Sequence, residues 1–377
     1  MRSASFSSFH SQATETSIQP YYPEGSSKYC LRDSRVAIDF SLPVDSASNA
    51  TMPLSYSQNV LYFGRGNRIH YRNMIAADAV SQLCKLQEKH GDLKLLEAGN
   101  NHLALATSKG VVQVWDMETK KMVTSWTTKG VGSMAWNERV LSLRHYDTRI
   151  QSTAKMKEQV SKVTRHQASI STLAWNTGGK LLASGDESGI VYTWDSRSKV
   201  PLDVGEFHQR RKKIQHDKAI SAWCPWQPKL LATGDVGGTV KFFTVEPANT
   251  HSNATAPGKL ELGSKIVNLH FSPNYKELLS TLGPLPASPE VADLRSWPRT
   301  GSVSGNSIAA HSFPSLRPIA SLPVSEQEVC GSVLNTGSAV HKIVVAIPGE
   351  TKLKVYDVWG KRKEIRRQSS SLGNTIR

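Results

Sequence analysis

The residues of this chain that carry reactive chemistry are twelve histidines, four cysteines and a scatter of serines and aspartates. Two histidines stand out: His166 and His216 open two stretches of similar wording, and Ser184 and Trp194 follow the first. A histidine near a hydroxyl is the raw material of nucleophilic catalysis, which also needs a third group to orient the base and a pocket where all three converge. Nothing supplies that setting. The chain has no Gly-x-Ser-x-Gly elbow, no Gly-x-x-x-x-Gly-Lys-Ser/Thr loop and no His-Glu-x-x-His pair. Cys30, Cys84, Cys224 and Cys330 lie far apart with no Cys-x-x-Cys spacing, which argues against a disulfide framework or a zinc site and suits a reducing compartment. His166 and His216 are therefore read as structural, and Trp175, Trp194 and Trp223 as core anchors rather than a ligand box. No catalytic residue, cofactor or metal ligand is assigned, and the chain is not expected to be an enzyme.

The elements that hold these residues are announced by repetition. Ser133-Met134-Ala135-Trp136-Asn137 returns as Thr172-Leu173-Ala174-Trp175-Asn176, and Leu182-Ala183-Ser184-Gly185-Asp186 returns as Leu231-Ala232-Thr233-Gly234-Asp235. An alternating strand closed by an aromatic appears as Val111–Asp116, Ile190–Asp195 and again from Thr239 to Phe243. Self-similarity at roughly 40 to 50 residues with Trp-Asp closing the unit is the mark of a WD-repeat propeller blade. Each blade is a small sheet that must stack on its neighbours to bury both faces. The 377 residues suit an all-β, seven-bladed WD-repeat β-propeller. We assign 1–53 to a disordered Ser/Thr/Pro/Asn-rich arm, 54–360 to the propeller and 361–377 to a short basic tail. A Pro/Ser/Gly-rich stretch at 283–306 is expected to loop out of the sixth blade. Repeats of this kind place an aspartate six residues before the closing aromatic to orient a histidine and a hydroxyl. Lys109, Ser188 and Gly237 stand there, so that network is expected to be lost and the ring to be held by packing.

The formal net charge is +15, from 46 basic and 31 acidic side chains, which favours acidic partners or the nucleus. One basic run lies at 210–213. The other, Lys361, Arg362, Lys363, Arg366 and Arg367, begins the tail and is the better candidate for nuclear import because a chain end is accessible. Ser369 follows two arginines and is a candidate phosphosite. No run of about 18 apolar residues exists, so no membrane span is expected.

Between residues 166 and 280 the wording becomes more specific. Ala222-Trp223-Cys224-Pro225-Trp226-Gln227 and Asn274-Tyr275-Lys276-Glu277-Leu278, on successive repeats, resemble the fizzy and fizzy-related family, the WD-repeat activators of the anaphase-promoting complex. The resemblance implies a substrate-recruiting adaptor of that ubiquitin ligase, acting in the cell cycle, with a meiotic role open to a divergent member. It implies ligase subunits and degron-bearing proteins as partners. Family members end in Ile-Arg, as Ile376-Arg377 does here; the resemblance implies that this end docks in a helical-repeat subunit, with the guanidinium and carboxylate hydrogen-bonded and Ile376 in an apolar pocket. Three departures stand beside it. The family's Asp-Arg-Tyr/Phe-Ile-Pro docking string is missing, Leu31-Arg32-Asp33-Ser34-Arg35 being the nearest. Glu187 takes the place of the family asparagine that reads a Lys-Glu-Asn degron, and a family arginine is replaced within Ser325–Val329. The alternative reading is a WD-repeat scaffold without ligase activation, and an RNA-binding basic propeller ranks third, so nucleic acid is not the expected partner.

Overall fold

The computed structural model describes residues 23–360, apart from interior stretches of which the longest are 40–52, 148–164, 247–257 and 285–304. Strands follow one another through the described residues, with one four-residue α-helix, Ser27–Cys30. The middle strands of the blades are buried along nearly their whole length, as a sheet packed on both faces demands, and valine, isoleucine and aromatic side chains suit that setting. The fold is an all-β WD40 propeller, and no helix among the described residues is long and apolar enough to cross a membrane.

Six blades are complete. The first is Leu54–Ser57, Val60–Arg65, Arg68–Asn73 and Ser81–Lys85; the second is Leu93–Ala98, His102–Thr107, Val111–Asp116 and Met122–Thr127. The fourth is built on Ile170–Trp175, Leu181–Asp186 and Ile190–Asp195, the fifth on Ile220–Trp223, Leu230–Gly234 and Thr239–Glu246. The sixth runs from Ile266–Phe271 to Pro318–Pro323, and the last holds Gly331–Asn335, Val340–Ile347 and Lys352–Gly360. Where a third blade was expected, residues 135–147 form a three-stranded sheet of short strands; the rest of that expected repeat lies outside the described residues. The innermost strands of successive sheets touch in turn, and Leu54–Ser57 meets Gly331–Asn335 to close the circuit.

The repeated Ala-Trp phrase explains how the sheets are seamed. Trp136 donates its indole N–H to the Glu97 carbonyl at 2.8 Å, Trp175 to Ser142 Oγ at 2.9 Å, and Trp223 to the Ala174 carbonyl at 2.8 Å. Each tryptophan thus reaches the preceding sheet and satisfies its one donor there, Trp223 buried and Trp136 and Trp175 half-buried. The turns between second and third strands need glycine. Gly110 and Gly238 sit at φ 77° and 85°, and a Cβ on Gly110 would lie 2.1 Å from the Thr128 carbonyl oxygen.

The expected disordered arm is corrected by what closes the ring. Val36–Asp39 pairs antiparallel with Lys352–Val355 as the fourth strand of the last blade. Ahead of it Ser27–Cys30 packs between the sixth and last blades, where the buried Glu277 carboxylate accepts from Ser27 N (3.1 Å), Ser27 Oγ (2.5 Å) and Trp359 Nε1 (2.7 Å). Leu31 and Ile38 are buried beneath this strap. Polar composition pointed to an unstructured arm, but the last blade has only three strands of its own and an unpaired edge to fill. The basic run near 210 is also more ordered than a loop: Gln209–Arg211 is a strand paired with Asp203–Glu206, and this hairpin lies along the outer edge of the fifth blade. Most of the expected 283–306 insertion lies outside the described residues.

Candidate partner-binding face

Strands in each blade alternate in direction, so turns between second and third strands share one end of the ring with the loops that enter each new blade. That end carries Glu187, in the turn joining Leu181–Asp186 to Ile190–Asp195, and the loop of Ser325–Val329 leading into the last blade.

The turn under Glu187 is held from below. Asp186, fully buried, accepts at Oδ1 from Ser188 N (3.1 Å), Ser188 Oγ (2.6 Å) and Ile190 N (3.0 Å). Its Oδ2 meets His166 Nδ1 at 2.7 Å; His166 Nε2 lies 2.7 Å from Ser184 Oγ, which also receives the Trp194 indole N–H at 2.8 Å. Burial alone pushes the Asp186 carboxyl up, but the bonds from Ser188, His166 and Ile190 outweigh it and leave the carboxyl below its ordinary value. The fifth blade repeats the arrangement: His216 bridges Asp235 Oδ2 (3.1 Å) and Thr233 Oγ1 (2.6 Å), and Asp235 Oδ1 accepts Thr239 N at 2.9 Å. The expected loss of the network is therefore overturned in both blades. The aspartate stands two residues after the hydroxyl rather than six before the aromatic, so Ser188 and Gly237 are free to be turn residues. The recurring Ser/Thr-Gly-Asp was the signal that would have found it.

These histidines are structural clamps: the hydroxyls their Nε2 atoms meet, Ser184 and Thr233, are both buried. The four cysteines are free, and burial pushes the thiols of Cys30 and Cys224 to about 11. Among the described residues no group of three or more histidine, cysteine or acidic side chains is set to hold a metal ion.

Glu187 itself is exposed, its backbone N–H donating to the Ser169 carbonyl at 2.9 Å. What the geometry offers is a carboxylate on a rigid turn, able to accept from a lysine, an arginine or a backbone N–H of a partner, but unable to donate. The Ser325–Val329 loop is tied down differently. Glu328 pairs with Lys265 at 3.0 Å, Gln327 N donates to Ser325 Oγ at 2.9 Å, and Ser325 Oγ donates to Glu350. Glu350 also pairs with Lys354 at 2.9 Å, so its carboxyl is held low by Ser325 first and Lys354 second. The described hydrogen bonds do not join this loop to Glu187. Ile376, Arg377, the import candidates Lys361, Arg362, Lys363, Arg366 and Arg367, and Ser369 lie outside the described residues.

Comparison with known proteins adds three findings. Residues 157–195 match the WD domain, G-beta repeat family. The chain is 28% identical over 289 residues to "Cell division cycle 20.1, cofactor of APC complex" of Arabidopsis thaliana, covering 73% of this chain and 59% of that protein. It is 32% identical over 243 residues to Protein FIZZY-RELATED 1 of the same plant, covering 60% and 46%. The matched region thus spans about half the length of these curated relatives. The resemblance carried by residues 166–280 is borne out. A chain in the crystal structure of a mitotic checkpoint complex superposes with a TM-score of 0.66 at 22% identity, covering 91% of this chain and 99% of that one, and it shares the fold.

Proposed function

We propose that this chain is a non-catalytic, substrate-recruiting activator of the anaphase-promoting complex. The observation that carries the reading is its similarity to a named cofactor of that complex along 73% of its length. The ring geometry supports it: a closed propeller presents braced turns to a partner. Counting the sheet of 135–147 as a blade makes the ring seven-bladed, since its first strand touches those of the second and fourth blades. In this reading Ile376 and Arg377 dock on the ligase, and Glu187 faces the substrate's degron with an acceptor where the family has an amide. The tail cations direct the protein to the nucleus.

Affinity purification of the full-length chain beside one lacking Ile376-Arg377 tests the proposal. Ligase subunits recovered with the first and lost with the second are expected; their absence from both, or equal recovery, overturns it. A third arm reads Ser369. A phosphate there, adding roughly −1.5 to −2 charges, would fold the tail onto Arg366 and Arg367, so Ser369→Glu should recover less ligase than Ser369→Ala.

A further inference from the structure

Between the first and second blades, at the end of the ring away from Glu187, a cavity of about 300 Å³ opens to the side. That volume lies at the small end of the range for ligand sites, roughly 300–1,000 Å³, and accommodates a side chain or two rather than a large cofactor. Tyr62, Tyr71 and Leu83 line it from the first blade; Met117 and Lys120 line it from the turn between the second blade's third and fourth strands. This turn is braced. Asp116 Oδ1 accepts from Glu118 N at 3.0 Å and Thr119 N at 2.7 Å, and Met117 N donates to the Asn101 carbonyl at 3.0 Å. Lys120 occupies the left-handed region at φ 57°, a conformation a lysine adopts only when its surroundings impose it. There its ammonium lies 4.6 Å from the centre of the Tyr71 ring and donates to the Tyr71 hydroxyl. One of its three donors is thereby used, and the rest remain for a ligand.

Two further observations say what the ligand is. Among the described residues Lys120 is the one charged side chain that lines the cavity, so the complement is an anion beside an apolar group. Of the five large hydrophobic side chains exposed among the described residues, three flank the lining segments in sequence: Ile75, 66% exposed, and Met122 and Val123, each 50% exposed. Apolar side chains left in water on the same segments that line a cleft favour a protein contact over a small-molecule site. We propose that this cleft binds a segment of a partner polypeptide, which inserts a leucine or aromatic side chain between Tyr62, Leu83 and Met117 and sets a neighbouring aspartate or glutamate on Lys120. The neighbouring apolar side chains at 75, 122 and 123 then cover the rest of the segment. The site is independent of the ligase reading and stands whether or not Glu187 meets a degron.

Selection of a displayed random peptide library on the full-length chain, and in parallel on its Lys120→Glu variant, tests this. The wild-type chain is expected to enrich peptides that place an apolar residue beside an acidic one. These should bind Lys120→Glu at least about ten-fold more weakly, a loss on the order of 1.4 kcal/mol, whereas twins carrying lysine for the acidic residue should gain. Equal thermal melting of the two proteins controls for folding, since Lys120 is exposed. Failure to enrich any such class, or peptides that bind both proteins alike, would overturn the proposal, as would enrichment of basic sequences only.

Discussion

Asp186 and Asp235 do at residue scale what a family position further along the turn was expected to do, because a carboxylate needs only to reach the histidine and the turn's N–H groups. Reach is set by space and not by count from the tryptophan. Asp186→Ala would leave Ser188 N, Ile190 N and His166 without their acceptor. Hydrogen bonds to a charged group are worth roughly 1.5–3 kcal/mol net, so we expect a stability loss of that order in urea unfolding, with Ser188→Ala costing much less. Equal losses for the two would contradict the assignment. His311 sets a pH dependence. It is 2% exposed, and burial lowers it from 6.5 to about 4. The unfolded chain takes up this proton as pH falls below about 6.5 and the folded chain holds it off until about 4. Its contribution is therefore complete above pH 6.5 and lost on descent toward 4, at up to roughly 1.4 kcal/mol per unit. His311→Gln should flatten the stability curve relative to wild type across that window; parallel curves would refute it.

The strap of residues 23–39 was the element least legible in the sequence, and the complete blades were the most. Blades announce themselves because Val-Ile alternation, the Ala-Trp seam and the glycine turn each recur, so one motif can be checked against the next. The strap has no repeat partner, and its four-residue strand follows a polar stretch. Its role is visible only when the last blade lacks a fourth strand. Burial of Leu31 and Ile38 is worth roughly 1.5–3 kcal/mol each. Removing residues 1–39 should therefore destabilise the propeller by several kcal/mol. Glu277 makes the test specific. Glu277→Ala should cost much less in the truncated chain than in the full one, because two of its three donors belong to Ser27. Strictly additive losses would detach Glu277 from the strap. The structure places Glu187 in an exposed turn braced by Asp186; the side cleft at Lys120 was not legible, since its walls come from two blades.

For the whole molecule, function depends on where the ring is carried and what it joins. Replacing Lys361, Arg362, Lys363, Arg366 and Arg367 with alanine should shift a fluorescent fusion toward the cytoplasm, because import receptors engage several cations at once. Unchanged nuclear enrichment would transfer the role to the 210–213 run or to a partner. The central claim is activation, and binding alone does not establish it: a scaffold would bind equally well. The direct measurement is ubiquitination of a degron-bearing substrate by purified anaphase-promoting complex with and without this chain. The account predicts that the full-length chain stimulates substrate modification and that the chain lacking Ile376-Arg377 stimulates it far less. A chain that binds the ligase yet leaves substrate modification at its basal level would contradict it.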